Sequence, residues 1–285
     1  MRNAKERLMK SVFLLSALVF IGAVALIFLF LFANGLPAIA EIGPLKFLLG
    51  REWSPNEIPP VFGILPMILG SLYVTAGAIA IGVPAGVFTA VFMAGVCPKP
   101  LYTLLKPAVD LLAGIPSIVY GFFGMVVIVP SVRNLFGGDG NSILTASILL
   151  GMMILPTIII VSESALRAVP TELYDGATAL GASRERALFA VILPAAKSGV
   201  LAAVVLGIGR AVGETMAVIM VAGNQARMPV GLLKGARTLT ANIVLEMGEA
   251  AELHREALIA TGVVLFVFIL LINLTFSVIR RERVR

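Results

Sequence analysis

Long stretches of this chain are almost free of charge. Ser11 to Ala40 lies between Lys10 and Glu41, and Ile58 to Pro98, Leu111 to Val132, Gly140 to Ser162, Gly199 to Gly223 and Ala257 to Ile279 follow it. A helix of about 20 apolar residues crosses about 30 Å of hydrocarbon, so each stretch predicts a membrane span. Only 13% of the 285 residues are charged and 59% are hydrophobic, about half the charge expected of a soluble domain. The pattern predicts an all-α membrane protein with six transmembrane helices. The first stretch follows Arg2, Lys5, Arg7 and Lys10 and is longer than a cleaved signal core, so it reads as a retained helix.

Ile58 to Pro98 could hold one span or two, and the basic residues decide. One span, roughly Leu65 to Ala94, places fourteen Lys and Arg on one side: those of the N-terminus, Lys99, Lys106, Arg167 to Lys197 and the C-terminal RRERVR. Seven fall on the other side, and Arg210 lies within a span. Both termini are therefore expected to be cytoplasmic. The basic pI is explained by this distribution and not by nucleic acid. Cys97 and His254 are each the single residue of their type, which speaks against a disulfide or a metal cluster; His254 reads as a loop histidine.

Between the spans, Leu45 to Pro55 mixes aromatic and charged residues, and Trp53 suits the membrane interface. Gly137-Gly138-Asp139-Gly140 is a turn signal. Thr240 to Glu256 reads as a short external amphipathic helix whose glutamates, Glu246 among them, form a solvated face.

The longest cytoplasmic segment, 163–198, reads as two short helices hinged at a glycine. Thr171 can cap the first, Gly181 can end it, and Ser183 can cap a second that stops before Pro194. Gly176, Ala177 and Ala179 leave a small-residue surface on the first. The spacing Asp175-Gly176-Ala177, three residues, Gly181, nine residues, Val191-Ile192-Leu193-Pro194 resembles the EAA loop of ABC importer permeases. That pattern is Glu-Ala-Ala, three residues, Gly, nine residues, Ile-x-Leu-Pro, so Asp175, Gly176 and Val191 depart from it. In that family the loop forms a coupling helix that docks on a separate ATPase subunit. No G-x-x-x-x-G-K-[ST] phosphate cradle occurs in these 285 residues, so no ATP hydrolysis is expected of them.

Within the fifth stretch, Leu206 to Val218 reads LGIGRAVGETMAV. At about 1.5 Å per residue Arg210 lies about 16 Å into the span, where a charge costs at least about 2.5–3.5 kcal/mol against lipid. Glu214, four residues on, would share its helical face and can pair with it. Gly207, Gly209 and Gly213 thin the helix around the pair. Two readings stand: a buried ion pair that locks helices, or an anion path in which the guanidinium fork takes a tetrahedral oxyanion while Glu214 orients it. Glu214 could also accept a hydrogen bond from the proton of a singly protonated anion, which would favour hydrogen phosphate over sulfate. In the third span, Pro116 removes a backbone donor near Gly114 and Ser117, which opens backbone to a cavity or makes a plain kink.

AGIPSIVYGFFG (Ala113 to Gly124), GIGRAVGETMAV (Gly207 to Val218), and an external WSP followed by FGILP (Phe62 to Pro66) resemble the phosphate importer of the Pst type, nearest its PstC-like permease. The resemblance implies the type I ABC importer permease fold in a prokaryotic cytoplasmic (inner) membrane. An N-terminal helix and external segment (1–62) would precede a five-helix permease core (63–280). It implies a second, PstA-like permease, two ATPase subunits that use ATP, an external phosphate-binding protein, and surrounding lipid. It places Arg210 and Glu214 in the phosphate path, with Thr215, Gly114, Pro116 and Ser117 beside them. No catalytic residue, metal or cofactor of the chain's own is expected. Rival readings are a sulfate or molybdate permease, or an ATP-independent secondary transporter, which would often show an internal repeat that this sequence lacks. A membrane enzyme is the weakest, since no nucleophile, base and orienting group converge.

Overall fold

The computed structural model describes residues 2–282, with side chains for Glu6 and for residues 8–275. Helices account for nearly all of it. Helix α1 (Arg2–Ile42) is followed by α2 (Pro44–Leu49), a two-stranded hairpin, β1 (Trp53–Ser54) and β2 (Val61–Phe62), and α3 (Leu65–Val91), which runs into a π-helical turn, Phe92–Val96. Next come α4 (Lys99–Gly114), α5 (Ser117–Phe123), a second π-turn (Gly124–Ile128), α6 (Val129–Phe136) and α7 (Ile143–Arg167). The remainder is α8 (Thr171–Ala179), α9 (Arg184–Ala187), a third π-turn (Leu188–Ile192), α10 (Leu193–Ala195), α11 (Lys197–Gly213), α12 (Met216–Val221), α13 (Leu239–Glu246) and α14 (Glu252–Glu282).

Among the described residues, five helical runs are long and apolar enough to span: Leu8–Ile42, Leu65–Val96, Ser117–Phe136, Ile143–Arg167 and Glu252–Thr275. A sixth is formed if Arg184–Ala195 and Lys197–Gly213, bent by 73° to one another, count as one. The predicted fifth span, Gly199 to Gly223, is broken after Gly213, where α11 gives way to α12; the bend at Ala196 lies before it, where the 163–198 segment enters the span. The last three residues of RRERVR lie outside the described residues.

Helix α7 is the core of the bundle. Leu149, Leu150, Met153, Ile154 and Ile158 are all fully buried, which a helix hydrophobic all round allows when neighbours cover it. Helix α3 lies against it where side chains are missing: a Cβ on Gly82 would stand 2.7 Å from Ile154 Cδ1, and one on Gly86 2.8 Å from Ile158 Cγ2. Close backbone approach is what drives helix packing when lipid offers apolar surface everywhere. On the far side α1 packs on α14, with Phe28 and Phe32 around Phe266 and a Cβ on Gly35 only 2.6 Å from Val263 Cγ2. The rest of α1 keeps a broad apolar surface exposed, Phe13, Leu14, Leu18 and Phe20 included.

At the end that the charge pattern places outside, α2, the hairpin, α13 and the start of α14 form a small dry layer around Phe47, Trp53, Phe62, Leu239 and Leu258. The hairpin pairs Trp53 with Phe62 and Ser54 with Val61 in antiparallel register. Four expectations change here. Trp53 is buried, not spread at an interface, and its Nε1–H donates to Glu246 Oε2 at 2.8 Å. Glu246 is no solvated face: Oε1 pairs with Arg237 and Oε2 also meets His254 Nε2 at 2.9 Å. His254 lies in α14 and not in a loop. The single helix expected over Thr240 to Glu256 divides, because α13 ends at Glu246 and Glu252 takes a positive φ of 45°.

The turn at Gly137 to Gly140 forms as expected, with positive φ at Gly137, Gly138 and Gly140. At the opposite end, the 163–198 segment folds as two short helices hinged at Gly181, φ +85°. Ser183 Oγ accepts from Arg186 N at 3.2 Å, the predicted cap. The N-cap of α8 is Pro170 and not Thr171, with no side-chain bond. Pro194 does not stop the second helix. It lies in the last turn of the continuous helical run Arg184–Ala195, just after the π-turn Leu188–Ile192, and the chain turns two residues later.

Candidate substrate path

Arg210 sits in the last turn of α11, one turn after Gly207. A Cβ on Gly207 would lie 2.9 Å from Ile158 Cγ1, so Gly86 and Gly207 grip Ile158 from two sides and fix α11 against α7 at this height. Thr157 is the next residue on α7. Arg210 Nη1 donates to Thr157 Oγ1 at 3.2 Å, and both residues are half-buried.

The Arg210–Glu214 pair expected on one helical face is not made. Helix α11 ends at Gly213, and Glu214 is extended (φ −70°, ψ 132°). Its amide reaches only Ala211 O at 3.4 Å. Its carboxylate turns forward instead: Oε1 accepts from Ala217 N at 3.1 Å, satisfying one of the orphan amides at the start of α12. Its carbonyl accepts from Thr240 Oγ1 of α13 at 3.1 Å, so a neighbouring element replaces the lost helical bond. Thr215 is half-buried, with its hydroxyl on Gly213 O at 3.3 Å. No carboxylate of the described residues comes within 4.0 Å of Arg210. A guanidinium is thus held beside a broken helix with one neutral partner.

The second expected disturbance is a true break. Helix α4 ends at Gly114, Ile115 and Pro116 are extended, and α5 starts at Ser117. Tyr120 Oη donates to Leu112 O at 2.9 Å and bridges the gap. Gly114 and Pro116 are exposed and Ser117 is half-buried; no hydrogen bond joins Ser117 to Arg210 or Glu214. The halves that follow the two breaks pack on each other, since a Cβ on Gly121 would stand 3.0 Å from Ala217 Cα.

Three comparisons with known proteins bear on this architecture. Residues 82–283 match the family model described as binding-protein-dependent transport system inner membrane component. The chain belongs to this family. It is a multi-pass membrane permease subunit of an ABC importer, not an enzyme. Among curated proteins it is 40% identical over 266 residues to the probable ABC transporter permease protein YqgH of Bacillus subtilis, covering 90% of this chain and 86% of that one. It is 36% identical over 276 residues to the phosphate transport system permease protein PstC of Mesorhizobium japonicum, covering 90% and 83%. Among solved structures, a bacterial alginate ABC transporter in complex with a pentasaccharide-bound periplasmic protein matches with TM-score 0.65 at 18% identity, over 96% of both chains. The inward-facing MetNI methionine ABC transporter matches with TM-score 0.59 at 24% identity, over 78% of this chain and 95% of that one. The fold is that of the type I ABC importer permeases.

In this permease the 163–198 segment presents Asp175 and Gly176 to solvent, with Ala177 and Leu193 half-buried and Gly181 and Pro194 exposed. No residue of α8 is buried, so its outer face is open. The amide of Glu185 itself and the Ser183 hydroxyl hold the Glu185 carboxyl below its ordinary range.

Sequence reasoning missed the cluster behind this loop. Glu163, 2% exposed, accepts from Tyr102 Oη at 2.7 Å, Lys106 Nζ at 3.1 Å and Arg167 Nε at 2.8 Å. Arg167 also donates to Met93 O at 2.9 Å and lies 4.6 Å over the Tyr102 ring. One carboxylate thus ties α4, α7 and the π-turn after α3 together. The Glu163/Arg167 spacing of four was a visible signal; the reach to α4 was not.

Proposed function

We propose that this chain is the permease subunit of an ATP-driven importer of inorganic phosphate, working by alternating access beside a second related permease. Two ATPase subunits would bind the exposed α8 loop through Asp175, Gly176, Ala177 and Gly181, with Leu193 and Pro194 at its base, and an external phosphate-binding protein would deliver the ion. The observation that carries this reading is Arg210, a charge in a membrane span without a carboxylate partner. Such a charge costs several kcal/mol in lipid, and an anion passing the broken helix would compensate it. The PstC relatives favour phosphate among the oxyanions. Thr215 lies at the same break as Arg210, and Gly114, Pro116 and Ser117 at the other, which makes both breaks part of the proposed path. Glu214 acts here by holding the break open, its carboxylate on the α12 amide, and not by orienting Arg210.

The test is uptake of labelled phosphate into vesicles that hold this chain with its partner permease, ATPase and binding protein. Uptake should require ATP and be suppressed by excess phosphate, not by sulfate or molybdate. Arg210→Gln should reduce uptake about thirtyfold or more, the cost of a lost buried charge contact, with normal yield of the purified complex. Normal uptake by this variant would remove the path assignment. Suppression by sulfate or molybdate would keep the permease and change the ion.

A further inference from the structure

Resting on the reading of Arg210 above, we propose that Thr157 is a second substrate-contacting residue, holding Arg210 in place and donating its own hydroxyl proton to the same oxyanion. Threonines inside helices usually give that proton to the carbonyl four residues back. Thr89, Thr103, Thr261 and Thr275 all do so here, at 2.7–2.9 Å. Thr157 does not. Its one hydrogen bond among the described residues is accepted from Arg210 Nη1, which leaves its proton uncommitted. A hydroxyl carries one donor and two acceptor positions, so accepting from the guanidinium leaves that donation open.

Position supports the assignment. Ile158, the adjacent residue, is gripped by Gly86 and Gly207, so the backbone beside Thr157 is held between α3 and α11. Thr157 itself is half-buried. Thr157 also follows Pro156, which lies inside α7 and takes one amide out of the helical ladder. The site is then two-sided: a charged fork from α11 and a neutral donor from α7. Relative movement of these helices would separate the donors and loosen the ion, as release requires.

The experiment compares Thr157→Val and Thr157→Ser in the complete vesicle system with labelled phosphate. Loss of a hydrogen bond to a charged group weakens binding about tenfold or more. Thr157→Val should lower phosphate uptake at saturating binding protein about tenfold at normal complex yield and normal ATP hydrolysis, while Thr157→Ser keeps uptake near that of the parent. A purely structural threonine would lower uptake and ATP hydrolysis together, and that outcome overturns the proposal. If the valine variant fails to assemble, Thr157→Ser and Thr157→Ala are read instead, and equal uptake by the two overturns it. Inactive Arg210→Gln together with parent-like Thr157→Val would sink this inference alone; active Arg210→Gln would sink the reading beneath it.

Discussion

Single side chains settle more of this molecule than its composition suggests. Glu163 has three hydrogen-bond donors and almost no solvent, so it serves as the counter-charge for Lys106 and Arg167 together. Removing one partner of a buried charge cluster costs about 3–5 kcal/mol where the others stay buried. Lys106 and Arg167 are partly exposed (30% and 46% for their side chains), and water takes up part of that loss. Glu163→Ala should therefore lower the melting temperature of the purified complex clearly, and Glu163→Gln less, because the amide oxygen still accepts from Tyr102. Equal melting of the two variants and the parent would show that the cluster is ornamental. Arg210 is the opposite case, a charge in a span with a lone hydroxyl beside it. The sequence exposed Arg210 immediately, since a guanidinium in an apolar run stands out. Its true partner was hidden, because Thr157 lies 53 residues earlier on another helix and looks like any half-buried threonine.

At the scale of elements, the two helix breaks were unequally legible. Pro116 lacks an amide hydrogen, so its neighbourhood could be read from one residue. The break at Glu214 could not, because Gly209 to Gly213 continues an apolar run and the bond that replaces the helix comes from Thr240, 26 residues later. A helical wheel put Arg210 and Glu214 together, and a tertiary bond took them apart. The hinge of the cytoplasmic loop was fully legible, since Gly181 adopts φ +85°, a region where other residues cost about 1–2 kcal/mol. Gly181→Val should leave the bundle intact, for a Cβ there would meet nothing within 4 Å, yet misdirect α8. The expected result is normal membrane insertion with reduced co-purification of the ATPase and a matching fall in uptake. Unchanged co-purification would mean that α8 is not the docking element. The 73° bend follows Pro194 by two residues, so the sequence placed the end of the second helix nearly correctly but held no signal for the angle.

For the whole molecule, the outer layer shows how distant segments are joined. Trp53, Arg237 and His254 all converge on Glu246, linking the hairpin, the loop before α13, and the last span. Asn242 Oδ1 accepts from Arg237 Nη1 at 3.0 Å, and Thr238 and Thr240 share a hydrogen bond at 3.1 Å, so the layer runs continuously to the Glu214 break. Glu246→Gln keeps shape and one acceptor but removes the charge that Arg237 answers. The complex should melt several degrees lower, and phosphate uptake should fall less than for Arg210→Gln; a larger fall than that would move the ion path outward into this layer. Six apolar stretches could be seen in the chain alone, because lipid imposes a length and a composition, and the hinged 163–198 segment could be seen from its glycine and its cap. The outer layer could not, since its hairpin is two residues per strand and its glutamate looked like surface.

The packing of α1 on α14 sets a timetable. Helix α1 meets its main partner late: Gly35 cannot close on Val263, nor Phe28 and Phe32 on Phe266, until all the helices between them have been synthesised. Long-range contacts of this kind are slow to form. During that interval the apolar face of α1 has no α14 to pack on, and late arrival of α14 leaves that face uncovered for longer.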